Sequence, residues 1–213
     1  MSATVPVLAV DGLAFAYPDL PLFRDWSHVF RPGLTWVRGD NGCGKSTLLR
    51  LLGGALEPRS GHVRYGDFDA QAQPLDYRRH VYWCGPDGPA FNHLKPYEFF
   101  GFVAGLYPTF DTALPAALVE ALGLEPFLER RIDQLSTGSR KKVGVIAAIA
   151  AGTPVVLLDE PLAALDRASG RVLKSHLAQA SRQRERLWIV ASHEPLGDDA
   201  ALARRLELPS NTG

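Results

Sequence analysis

The chain has almost no cysteine, no excess of either charge and no long apolar run. Cys43 and Cys84 are its only cysteines, too few to staple a small secreted scaffold and compatible with a reducing compartment. Twenty-three Lys and Arg balance twenty-three Asp and Glu, which removes the global positive field of a dedicated nucleic-acid binder and leaves only local patches. The longest strongly apolar stretch, Val143 to Ala151, is about half of the roughly 20 residues that cross a bilayer. The first ten residues lack the basic start and apolar core of a signal peptide and read as mature protein. Repeats, linkers and low-complexity tracts are also missing from the sequence. What is present is an ordinary folded composition, 46% hydrophobic and 22% charged over 213 residues, sufficient for one sizeable core but not for a string of domains.

Short β-like runs open the chain: Val7 to Val10, Leu13 to Tyr17, Trp26 to Phe30 and, after the Pro32-Gly33 turn, Leu34 to Arg38. A helical pattern over Thr47 to Leu52 stops at Gly53-Gly54, a hairpin-like stretch runs through Asp69, and Val81 to Cys84 is β-prone. Between about Phe91 and Ala151 the periodicity becomes helical, in Pro96 to Leu106, Thr112 to Leu122 and Arg140 to Ala151. This segment reads as a helical lobe inserted between strands. Val155 to Leu158 and Leu187 to Ala191 are continuous apolar runs, as strands buried on both faces require. A helix over Arg167 to Arg184 separates them, and Arg205 to Leu208 forms a last short strand.

Gly39-Asp40-Asn41-Gly42-Cys43-Gly44-Lys45-Ser46-Thr47 fits G-x-x-x-x-G-K-[ST] and joins a strand to a helix. That context is the one the mechanism demands. Glycines let the loop curl so that backbone N–H groups point at phosphates, and the helix beginning near Lys45 adds its positive dipole end. Asn41, Cys43 and Gly44 would donate through backbone, Lys45 would meet the β and γ phosphates, and the Ser46 hydroxyl would ligate Mg²⁺. The strand Val155 to Leu158 ends in Asp159-Glu160, which delivers two carboxylates to the rim of a parallel sheet. Asp159 is the expected magnesium anchor and Glu160 the base that orients or deprotonates the attacking water.

These motifs identify a P-loop NTPase, and further ones narrow it. Tyr17 lies about twenty residues before the loop. Leu135-Ser136-Thr137-Gly138-Ser139 precedes a basic, then apolar helix. Ala164-Leu165-Asp166 follows the acids, and Ser192-His193 follows the next strand. In order and spacing, from about Val7 to Leu208, the chain resembles the ATP-binding cassette (ABC) ATPases. Their adenine-stacking aromatic, signature (usually Leu-Ser-Gly-Gly-Gln), D-loop and switch histidine correspond to these segments.

The resemblance implies an α/β fold: a P-loop NTPase sheet core with an N-terminal antiparallel β subdomain and an inserted helical lobe. Residues 1–213 would be one domain, with about 1–90 and 152–213 as nucleotide-binding core and 91–151 as the lobe bearing the signature. It further implies a head-to-tail dimer with a second copy or a related ABC subunit. ATP would lie between the phosphate loop of one subunit, with Tyr17 on the adenine, and the signature residues Ser136 and Gly138 of the other, with Asp166 of the D-loop as a further nucleotide-site residue. His193 would hold Glu160 and water in register. The expected role is ATP hydrolysis driving an integral membrane permease from the inner, cytoplasmic face of the membrane, by a bare motor with no regulatory extension and no nucleic-acid partner. A soluble ABC-type ATPase acting on nucleic acid or ribosomes is the alternative, although the long coiled coil or second cassette usual in such proteins is not present in the sequence. A slowly hydrolysing nucleotide-gated module is another.

The chain departs from the family pattern in two places. Thr137 and Ser139 replace a glycine and the glutamine of the signature. The segment equivalent to the Q-loop, Val81 to Pro89, has no glutamine. Asp87 or Pro86 falls at that position, and of the two only Asp87 offers magnesium an oxygen. Seven of the twenty aromatic residues lie between Phe91 and Phe110, most of them expected in the lobe's own core, with Phe99 and Phe102 at helical spacing. The remainder would line a groove that takes a helix from the membrane subunit. Arg140-Lys141-Lys142 reads as a solvated helix face.

Overall fold

A computed structural model describes residues 6–183, 185–197 and 203–209. Two sheets organise the chain. The first is antiparallel and contains β1 (Leu8–Tyr17), β2 (Leu20–Phe30), β4 (Ser60–Tyr65) and β5 (Phe68–Asp69), in the order β2-β1-β4-β5. The two expected runs up to Tyr17 form a single strand because Gly12, at φ +58°, absorbs the register shift between Val10 and Leu13. β2 begins earlier than Trp26 because its first half pairs with Phe15 to Tyr17.

The second sheet is wholly parallel and contains β3 (Gly33–Arg38), β6 (Val81–Cys84), β7 (Val155–Asp159), β8 (Leu187–Ala191) and β9 (Arg204–Glu207), in the order β6-β7-β8-β3-β9. Every residue of β7 and β8 is buried, which explains their unbroken apolar sequences. Alternate residues face two different cores. Val156, Leu158, Trp188 and Val190 pack against the helical segment. Val155, Leu157, Leu187 and Ile189 pack with Leu8, Val10 and Val63 of the antiparallel sheet and with Leu48, Leu49 and Leu52. Those leucines belong to α1 (Lys45–Leu52).

α2 (Pro74–Arg78) leads into β6. The helices α3 (Pro96–Leu106), α4 (Leu114–Ala121) and α5 (Thr137–Ala150) then form the predicted helical stretch. Pro96 opens α3 at a position where its missing N–H costs nothing, and the Glu98 carboxylate accepts from the Lys95 backbone N–H at 2.8 Å. Ser136 caps α5 by accepting from the Ser139 N–H at 3.1 Å, and Asp166 caps α6 (Arg167–Arg182) by accepting from the Ser169 N–H at 2.9 Å. Arg184, the expected end of α6, lies outside the described residues. Among the described residues, no helix is long and apolar enough to cross a membrane.

Candidate active site

Neighbouring strands β7, β8 and β3 end on the same edge of the parallel sheet, and each carries one predicted motif out of it. β3 runs into the glycine loop, which Gly39 (φ +147°), Gly42 (φ +82°) and Gly44 (φ +103°) bend through conformations closed to other residues. α1 starts immediately after Gly44, so its unpaired N–H groups and positive dipole end face the loop. Lys45 is buried at 7% exposure and its Nζ donates to the Gly39 and Asp40 carbonyls at 2.8 and 3.0 Å. The ammonium thus closes the loop on itself around a cradle of backbone donors. Asn41 and Gly42 are exposed at its tip, Cys43 is buried beneath it, and Ser46 is half-buried. Tyr17 reaches the same helix start, its hydroxyl 3.3 Å from Thr47 Oγ1. Its half-exposed ring is supported edge-on by Phe15 at 5.1 Å. A cavity of about 360 Å³ beside the loop is lined by Arg38, Gly39, Asp40, Asn41, Ser192, His193 and Glu207.

Asp159, the last residue of β7, is 1% exposed. Neither carboxylate oxygen receives a hydrogen bond of ordinary geometry among the described residues. Burial raises its pKa, the adjacent Ser46 hydroxyl opposes that rise, and the Glu160 charge adds to it. Two orphaned oxygens beside a serine hydroxyl at a phosphate-loop helix form a hard oxygen donor set that fits a divalent magnesium ion.

Glu160 adopts φ +47°, a left-handed conformation rare for a non-glycine residue. All of its polar groups are hydrogen-bonded. The backbone N–H donates to the Ala191 carbonyl at 2.8 Å. The carbonyl accepts from Lys141 Nζ at 2.7 Å and from the Ala163 N–H at 3.2 Å. The carboxylate accepts from the His193 backbone N–H at 3.2 Å and lies 2.9 Å from His193 Nδ1. Ser192, just before the histidine, is fixed through its carbonyl by Trp36 Nε1 at 3.0 Å. Glu160 and His193 are therefore in direct contact.

Lys141 corrects the sequence expectation of a solvated basic face. It is 3% exposed and points inward from α5. Desolvation lowers its pKa, while Cys84, Glu160, Asp159 and Asp87 act to hold it up. Lys142, beside it, bridges the Leu122 carbonyl at 2.7 Å and Asp166 at 2.8 Å. No periodicity in the sequence signals these contacts, because lysine is ordinarily exposed.

The signature segment is displayed outward. Ser136 and Thr137 are exposed, whereas Leu135 and Ser139 are buried. Gly138 packs against the Ala164 carbonyl so closely that a Cβ there would lie 2.5 Å from the oxygen. Asp166 is exposed but occupied by the α6 cap, the Ser169 hydroxyl at 2.7 Å and Lys142, which hold its carboxyl well below the usual range. The structure thus gathers Lys45, Ser46, Asp159, Glu160 and His193 on one edge, while Ser136, Gly138 and Asp166 cluster around the start of α5 and α6.

Asp87 is exposed and lines a second cavity of about 630 Å³ with Trp83, Phe91, Phe102, Leu106 and Arg140. Of the aromatic segment, Phe99 and Phe100 are buried as expected. Phe102 is not core: at 39% exposure it forms the rim of this groove, with its ring 4.6 Å from that of Phe91. An i,i+3 pair need not share one face when α3 is only partly covered.

The family model for ABC transporters matches residues 27–163. The thiamine import ATP-binding protein ThiQ of Yersinia pseudotuberculosis is 31% identical over 204 residues, covering 93% of this chain and 84% of the relative. The cytochrome c biogenesis ATP-binding export protein CcmA of Pseudomonas savastanoi is 30% identical, covering 95% of each. Among solved structures, an ATP-binding subunit of an ABC transporter superposes with TM-score 0.78 at 23% identity, over 88% of this chain and 79% of its own. An ATP-binding protein of a putative ABC transporter from Pyrococcus furiosus superposes with TM-score 0.75 at 20% identity, over 95% and 97%.

Proposed function

Because the chain belongs to the ABC transporter family and is an ATP-binding ATPase, we propose that it drives a separate membrane permease through ATP-dependent head-to-tail dimerisation. The observation that carries the reading is the division of the motifs. Phosphate loop, acid pair and histidine share one sheet edge, while the capped, exposed start of α5 presents Ser136 and Thr137 away from that edge's cavity lining. A second copy would bring its Ser136 hydroxyl and the Gly138 N–H to the nucleotide as an anion-receptive helix start.

In this mechanism Tyr17 stacks on adenine and the backbone donors of Gly39 to Thr47 cradle the phosphates. Lys45 exchanges its two loop carbonyls for phosphate oxygens. Ser46 and Asp159 would hold magnesium, with Asp87 proposed as a further oxygen donor; the ion would supply neutralisation of phosphate charge. Glu160 orients the water for in-line attack and accepts its proton, and His193 fixes both the carboxylate and the γ-phosphate. The groove lined by Trp83, Phe91, Phe102 and Leu106 offers a helix of the permease an apolar seat. The relatives' names mention thiamine import and cytochrome c biogenesis export; neither cargo is carried over to this chain.

Glu160→Gln tests the reading. The variant should bind ATP, accumulate as a dimer in size-exclusion chromatography with ATP, and release no phosphate; unimpaired release would remove Glu160 from the chemistry. Wild-type release should change on adding membranes that contain a co-purifying multispanning protein. Stimulation by nucleic acid or ribosomes instead would favour the soluble role.

A further inference from the structure

We propose that Lys141 is a positioning residue for Glu160, fixing the carboxylate's aim from within the helix that bears the signature. The inference rests on the assignment of Glu160 as the base and extends it. The geometry is specific. Lys141 lies five residues after the Ser136 cap, on the inward side of α5, and its Nζ donates to the Glu160 carbonyl at 2.7 Å. That carbonyl belongs to a residue held in a left-handed conformation at φ +47°, which persists only where surrounding contacts over-determine it. The Ala191 carbonyl fixes the Glu160 N–H, and His193 fixes the carboxylate. Lys141 and, at 3.2 Å, the Ala163 N–H share the remaining polar group, the carbonyl, and of these contacts Lys141 alone ties Glu160 to α5.

A buried ammonium at 3% exposure is expensive to keep unless it is paired. The groups facing it come from three elements: Cys84 at the end of β6, Asp87 in the loop beyond it, and Asp159 and Glu160 at the end of β7. Cys84 is a neutral thiol, its pKa pushed up to about 12 by burial, so the stabilising charges are the carboxylates. β6 and its loop lie against the same helix: Gly88 and Gly144 approach so closely that a Cβ on Gly88 would be 2.8 Å from the Arg140 carbonyl and one on Gly144 2.9 Å from Cys84 Sγ. Lys141 thus stands where signature helix, glutamine-free loop and acid pair meet. Any rotation of α5 as its N-terminus takes up a partner's nucleotide moves the shorter of the two donors that hold the Glu160 carbonyl.

The test compares Lys141→Met, which keeps the aliphatic stem and removes the donor, with Lys141→Arg, which keeps donor and charge. Both are measured beside Glu160→Gln by steady-state phosphate release and fluorescent-nucleotide binding. The expected result is a kcat loss of tenfold or more in the Met variant, with KM and nucleotide affinity within about twofold of wild type, and substantial recovery in the Arg variant. A Met variant with wild-type kcat would overturn the proposal, as would a parallel loss of kcat, nucleotide affinity and thermal stability in both variants, which marks a purely structural lysine. If the Met variant does not fold, Lys141→Gln carries the same comparison by the same criteria. Glu160→Gln separates the two claims: if it retains turnover, the assignment of the base fails; if it is inactive while Lys141→Met is fully active, only the positioning role fails.

Discussion

Asp159 is a buried carboxylate whose oxygens, among the described residues, receive no hydrogen bond of ordinary geometry, an arrangement that costs stability and favours a cation. With its folded pKa raised above the unfolded value, the native state binds more protons over the window between the two. This contribution to stability is accordingly greatest below the unfolded pKa and is lost as pH rises through the raised folded pKa. Asp159→Asn should therefore raise the thermal midpoint of the nucleotide-free protein at pH 7, by about 2–4 °C per kcal/mol relieved, while reducing magnesium-dependent ATP hydrolysis. Differential scanning calorimetry in chelator reads the first effect; an unchanged or lowered midpoint would contradict the burden assigned to this carboxylate. Tyr17 makes a different kind of contribution, because its exposed ring awaits an aromatic partner. Tyr17→Ala should raise KM for ATP about five- to tenfold, equivalent to roughly 1–1.5 kcal/mol of ring stacking, whereas Tyr17→Phe, lacking only the hydroxyl bond to Thr47, should stay near wild type.

Among the helices, α5 carries the densest set of obligations, and they were unequally visible in the sequence. The motif at its start was legible, but the helix begins at Thr137, three residues before the expected Arg140, because Ser136 caps it. Its inward lysine was not legible, since composition rules send lysine to the surface and only the third dimension puts the Glu160 carbonyl within its reach. Gly138 illustrates a similar limit. The sequence suggested a close approach to phosphate, and the fold adds a second reason for glycine, the Ala164 carbonyl against its Cα. Gly138→Ala should consequently destabilise the protein itself by about 1–3 kcal/mol, seen as a lower urea midpoint without nucleotide. An unaltered midpoint would show that the turn before α6 yields easily. The buried strands were the most legible elements, since a run apolar on both faces has few other uses. Their spatial order was not: nothing in residues 204–207 announces that β9 lies against β3.

For the molecule as a whole, one sheet edge collects the phosphate loop, acids and histidine, while the signature is exposed elsewhere with its own caps satisfied. On the proposed dimeric reading, a protomer alone would enclose its nucleotide on one side only. This reading was accessible from motif order, but the outward display of Ser136 required the fold. The decisive measurement mixes two variants, each inactive alone. Lys45→Ala disables the phosphate loop; Ser136→Asp keeps the helix cap, which aspartate serves well, and sets a negative charge against the partner's triphosphate. In a head-to-tail dimer each mixed pair regains one intact site, so equal mixing with Mg-ATP should restore roughly a quarter of wild-type phosphate release by random pairing. Two folded, nucleotide-exposed variants that stay inactive together, or a Ser136→Asp protein that hydrolyses ATP normally by itself, would contradict the account.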